Sequence, residues 1–225
     1  MFNFSNLRET LETLLYALPA IVIALSFHEF MHGAVAYAMG DPTAKNAGRL
    51  TLNPIKHFDP IGLVMMIVFH FGWARPVPIN SAYFKRPKLG IVLTSLAGPL
   101  ANFLLGFFSL NLYLVLNLFG AGMPAALQIV LCEFFAILAS YNISLGLFNL
   151  IPIPPLDGSK ILYAVLPQRA YYTLLRYESY GMLLLIVLMF FDILTPVLTT
   201  GYQWIMNGFL DVIGAYLIPI YRLIG

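Results

Sequence analysis

Two histidines and a glutamate stand together in FHEFMH, residues 27 to 32, inside a stretch that is otherwise apolar. On a helix His28 and His32 lie on one face, four residues apart, the spacing at which two imidazoles grip one metal ion. Glu29 sits beside them, within reach of a water on that metal; the pattern is HExxH. A lone histidine in an apolar helix reads best as a hydrogen-bond partner of a neighbouring helix, but three ionisable groups need a common explanation. Each costs about 3 kcal/mol at membrane depth on insertion scales, so such groups are functional by default.

The surroundings are a membrane. Hydrophobic residues make up 60% of the 225-residue chain and charged residues 10%, against about a quarter in a soluble domain. The mean hydropathy is +0.83. A net charge of +2 is too small to point to nucleic acid. The one cysteine, Cys132, has no partner in the chain for a disulfide and reads as a packing residue. The first apolar run lacks a basic leader and a small-residue cleavage site, so no removable signal peptide is expected. With no repeat, linker or polar block for a second domain, residues 1–225 read as a single membrane-embedded domain.

The elements that must position the histidines follow from hydropathy. Residues 1–13 suit a short amphipathic surface helix, and Leu14 to Met39 is a first span ended by Gly40, Asp41 and Pro42. A polar loop covers 41–60. The apolar run Ile61 to Trp73 is too short to cross as a helix and reads as a re-entrant segment. Leu89 to Phe119 and Ala125 to Leu150 are the second and third spans. Prolines in NLIPIPPLDG, 149–158, break the third, with a short helical piece from Ser159 to Leu166. Ser179 to Leu198 and Gln203 to Ile220 complete an all-α polytopic fold of about five spans. The catalytic core is 14–166, and accessory spans occupy 178–220. With Met39 emerging in the cytoplasm, ten of the twelve basic residues fall on that side, placing the N-terminus outside and the C-terminus inside.

Two histidines leave zinc one protein ligand short when the fourth position is kept for water. His28 is about 16 Å deep at 1.5 Å per residue from the end of its helix, so the third ligand must reach that depth from the same side. Asp157, after the proline-broken backbone, is the best candidate, and His70 is the alternative. His57 and Asp59 read as surface, loop-positioning residues, and Glu133 as a helix-packing hydrogen-bond partner.

HEFMH, the run GRLTLNPIKHFDPIG, GPLAN in the second span and NLIPIPPLDG in the third together resemble the site-2 protease family of intramembrane zinc metalloproteases. The resemblance covers most of residues 20–165. It implies zinc, one ion per chain, held by His28, His32 and Asp157, with Glu29 as catalytic base. Asn149, Pro152 and Pro154 match positions that bind unwound substrate, and Asn102 is implied to face the site. The chain is similar to small members lacking PDZ and CBS domains, in which the run after the HExxH loop is a β-structured, membrane-dipping element. The implied activity is hydrolysis of peptide bonds within transmembrane segments, in regulated intramembrane proteolysis at the cell membrane. Its partners are a transmembrane protein substrate and the lipid bilayer. The alternative is a transporter or non-catalytic metal- or peptide-binding protein using the same cavity.

Overall fold

The computed structural model describes residues 7–57, 59, 62, 75–167, 169, 170, 173, 176 and 178–224, with backbone alone at 7–13, 178, 179 and 224. The re-entrant run Ile61 to Trp73, including His70, lies outside the described residues apart from Gly62. Among those described there are helices and no strands.

Helix α1, Leu7–Ala38, runs unbroken from the described part of the expected surface helix through the first span, with Pro19 inside it. It ends where Gly40 adopts a φ of +107°. The Gly40 N–H then donates to Tyr37 O and the Asp41 N–H to Ala36 O, which satisfies carbonyls the helix would leave bare. A short α2, Thr43–Asn46, follows. Helix α3, Pro87–Phe119, starts on a proline whose missing N–H costs nothing at that position. A turn at Gly120–Gly122 leads to α4, Ala125–Asn149. Beyond the prolines come α5, Asp157–Ile161, then α6, Glu178–Phe190, and α7, Thr195–Ile224.

Four of these helices are long and apolar enough to cross a membrane: α1 over Leu14–Ala38, α3, α4 and α7. Among the described residues, the expected fourth span is represented by a shorter helix. Helix α6 has 13 residues, roughly 20 Å, against a hydrocarbon core of about 30 Å. It stops at Asp192, which has a φ of 54°, and Thr195 Oγ1 donates to Asp192 Oδ1 at 3.2 Å across the turn. The chain therefore turns at 191–194, and the expected turn at 199–202 is helical. Gly201 lies within that helix: a Cβ there would come within 3.2 Å of Leu147, so the missing side chain lets α7 pack closely on α4.

The spans alternate in direction along α3. Ala24 and His28 of α1 lie against Asn102, and His32 against Thr94, so α1 runs antiparallel to α3. Helix α7 runs parallel to α3. Tyr202 bonds Ser140 at one end, Phe209 packs on Phe107 midway, and Tyr221 stacks on Phe119 at the other end, ring centroids 5.6 Å apart. The end of α7 thus lies with the 120–124 turn and the start of α1, not with Met39. Among the described residues this differs from the expectation that the two chain ends lie on opposite faces.

Leu110, Ala139, Ile213 and Leu217 are buried where α3, α4 and α7 meet, while Leu100, Leu104 and Phe108 of α3 and Trp204 of α7 point outward. Apolar side chains on that outer surface suit lipid rather than water.

Candidate metal centre

His28 and His32 are buried in the second half of α1. The close approach of α3 depends on Gly98: a Cβ there would lie 2.5 Å from His32 Nε2 and 2.6 Å from His28 Nε2. Each ring is fixed through its other nitrogen. His28 Nδ1 is 2.6 Å from Asn102 Oδ1, and His32 Nδ1 is 2.6 Å from the Thr94 carbonyl. A carbonyl oxygen only accepts, so both Nδ1 atoms carry the proton and both Nε2 atoms present lone pairs.

Asp157 is brought to these lone pairs by the broken backbone after α4. The Leu150 and Ile151 carbonyls lie where a Cβ on Gly158 would stand, so only glycine permits the tight return at the start of α5. Asp157 Oδ2 sits 3.2 Å from His28 Nε2 and 3.1 Å from His32 Nε2. The two Nε2 atoms are 2.9 Å apart. Asp157 Oδ1 faces Lys160 Nζ at 3.7 Å. The three ligand atoms lie within 4.8 Å of one another. Two neutral imidazoles, each oriented from behind, and a carboxylate form a donor set suited to zinc with one position open.

Asn102, implied by the family resemblance to face the site, meets it at His28. It is fully buried, and both ends of its amide are engaged. Its Oδ1 holds His28, while Nδ2 donates to Ala24 O at 3.1 Å and to Asn142 Oδ1 at 2.8 Å. It therefore orients a ligand and has no hydrogen left to offer a substrate. Asn142, itself donating to Leu138 O, completes this chain. Nothing in the motifs singles out Asn142, although an asparagine inside an apolar span was the available signal.

Glu29 is half-buried, and its Oε2 accepts the Val77 N–H at 2.8 Å. That segment is anchored to the end of α1. Asp41 accepts from Thr43 N at 2.9 Å, from Thr43 Oγ1 and from Asn80 N at 2.6 Å. Burial opposes the charge on Asp41, but these three donors outweigh it and hold its carboxyl below the usual carboxylate range. Arg49 Nη2 donates to Arg75 O at 2.6 Å, and His57 donates from Nε2 to Thr51 O at 2.7 Å while its carbonyl accepts Arg75 N–H. His57 is buried, not on the surface, because it supports the loop from inside.

Asn149 donates back to Leu145 O of its own helix at 3.0 Å. Pro152 is exposed and Pro154 buried, with the Pro154 carbonyl against Gly181 of α6. Asp59 Oδ1 accepts the Gly62 N–H at 2.9 Å. Glu133 is exposed on α4 and has no hydrogen bond among the described residues, so it does not serve as a helix-packing partner.

The model for peptidase family M50 matches residues 118–191. Among individual proteins, the chain is 41% identical over 198 residues to "Putative zinc metalloprotease YwhC" of Bacillus subtilis (strain 168), covering 86% of this chain and 90% of that protein. It is 31% identical to Rip2 of Mycolicibacterium smegmatis, named in the same words, over 86% of this chain and 72% of the relative. It is also 30% identical to MJ0611 of Methanocaldococcus jannaschii, again so named, over 72% of this chain and 76% of that one. No solved structure matches the chain.

Proposed function

The chain belongs to peptidase family M50 as a membrane-embedded zinc metalloprotease, and on that premise we propose that residues 28, 29, 32 and 157 form a site that cuts transmembrane segments of other proteins. One observation carries the residue assignment: His28 Nε2, His32 Nε2 and Asp157 Oδ2 converge beside Glu29, with no other described group bonded to the two nitrogens.

His28, His32 and Asp157 would hold zinc, which would supply Lewis acidity to acidify water and polarise the scissile carbonyl. Glu29 takes the proton from the attacking water and returns it to the departing amide nitrogen. Its Oε2 is held by the Val77 N–H, which leaves Oε1 to handle that proton. Asn102 and the Thr94 carbonyl keep the imidazoles in register throughout. A helical substrate hides its carbonyls, so its segment must unwind; the irregular backbone of 150–156 is positioned to bind it as an added strand. Pro152 and Pro154 shape that backbone, and Asn149 contributes once its amide leaves Leu145 O.

Orientation follows from charge. Lys45, Arg49, Lys56, Arg75, Lys85, Arg86 and Lys88 all lie between Ala38 and Leu89, at the bundle end where the HExxH helix finishes, while the 120–124 turn has no basic residue. The positive-inside rule then turns the site towards the cytoplasm and both chain ends outwards. Regulated release of membrane-tethered proteins is the role that suits such a site.

The test is cleavage of a transmembrane substrate by the full chain, loaded with zinc in liposomes. Glu29→Gln is expected to lower the rate by about 10²–10⁴-fold. An unchanged rate would sink this reading.

A further inference from the structure

A second feature lies apart from the metal centre. Residues 47–56 and 75–78 enclose a cleft of about 560 Å³ whose described walls carry three cations, Arg49, Lys56 and Arg75, and no carboxylate. Arg49 is 8% exposed. Its Nη2 is used by the carbonyls of Arg75 and Pro76, yet its Nε has no hydrogen-bond partner. Burial, and then the neighbouring Arg75 guanidinium, lower the Arg49 pKa from its ordinary value, against a smaller opposing effect of the Glu29 carboxylate. Concentrating like charge in one half-enclosed cleft is unfavourable unless an anion relieves it.

Placement selects the anion. The cleft belongs to the connection between the end of one membrane span, Ala38, and the start of the next, Pro87, and therefore sits at the membrane surface. Asn53 caps the turn Pro54–Lys56, accepting from Ile55 N at 3.1 Å. That rigid turn leaves Leu52 54% and Ile55 78% exposed. Ile55 also lines the cleft. Exposed aliphatic side chains beside cations match the boundary between acyl chains and headgroups.

We propose that this cleft binds the phosphate headgroup of an anionic phospholipid, gripped by Lys56 and Arg75 with Arg49 behind them, while Leu52 and Ile55 enter the acyl region. None of these side chains touches His28, His32 or Asp157; the cleft meets the proposed centre through Val77, between the cleft-lining Pro76 and Pro78, whose N–H is held by Glu29.

The experiment is native mass spectrometry of the full chain in detergent, titrated with phosphatidylglycerol or phosphatidylcholine. Wild type is expected to retain phosphatidylglycerol in preference, and Lys56→Gln with Arg75→Gln to weaken that retention about tenfold or more. Both side chains are exposed, so the fold should survive, which an unchanged melting temperature verifies. Lys85→Gln, a cation outside the cleft, should leave retention intact, and excess inorganic phosphate should not displace the lipid. Equal retention of the two lipids by wild type would overturn the proposal. So would undiminished retention in the double variant, equal loss in Lys85→Gln, or displacement by inorganic phosphate, which would mark a small-anion site instead.

Discussion

Asn102 Oδ1 lies 2.6 Å from His28 Nδ1, while the same amide donates to Ala24 O of α1 and to Asn142 of α4. One buried side chain thus ties three spans together and fixes the ring of a metal ligand. Asn102→Ala frees that ring and leaves His28 Nδ1 without a buried acceptor. Zinc affinity, measured by chelator competition, is expected to fall about 10–100-fold. Asn142→Ala should cause a smaller loss, because it acts on His28 only through Asn102.

Gly98 gives a sharper separation of site from scaffold. Alanine is the better helix former by about 1 kcal/mol, yet its Cβ would stand 2.5 Å from His32 Nε2 and 2.6 Å from His28 Nε2. Gly98→Ala is therefore expected to abolish zinc binding and proteolysis while the far-ultraviolet circular dichroism stays helical. Retained zinc at wild-type affinity would show that α3 does not crowd the ligand atoms.

Asp41 sets an acid limit on the loop that holds Val77 against Glu29. Its carboxyl titrates below the ordinary aspartate value because Thr43 and Asn80 donate to the charged form, against the opposing effect of burial. A depressed folded-state pKa contributes stability that is complete above the unfolded value and is lost as pH falls through the folded one. Thermal melting is expected to be insensitive to this group from neutrality to about pH 5 and to decline below about pH 4. Asp41→Asn should cost about 1–3 kcal/mol at neutral pH and flatten that acid decline.

The bundle's direction can be read by labelling. In a Cys132→Ala background, cysteines introduced by Gly122→Cys and Leu223→Cys should react with an impermeant maleimide from one face of sealed vesicles, and Lys56→Cys from the other. Labelling of the Leu223 and Lys56 positions from the same face would contradict the parallel course of α3 and α7.

The metal triad was legible because its chemistry is local or costly. HExxH has a fixed helical spacing, and Asp157 follows three closely spaced prolines, which a regular helix cannot accommodate together. The second tier was less so: Thr94 acts through its backbone carbonyl, which any residue supplies, and Gly98 matters by what it lacks. The last two spans differ from the hydropathy pattern because hydropathy alone cannot tell a glycine that ends a helix from one that packs it. Gly201 resembles a turn residue in the sequence, but it lies inside α7, where its missing side chain leaves room for Leu147. The real break, at Asp192, lies in a run whose apolar neighbours hide it. Asn102 carried polar groups whose partners on α1 and α4 could be assigned only once the helices were packed.

The central claim is that His28, His32 and Asp157 hold the metal and Glu29 does the proton transfer beside it. Zinc stoichiometry and cleavage measured together on purified Glu29→Gln and Asp157→Ala test it most directly. Glu29→Gln is expected to keep one zinc per chain and lose cleavage, whereas Asp157→Ala loses both. Full zinc and wild-type cleavage in Asp157→Ala, or undiminished cleavage in Glu29→Gln, would contradict the claim.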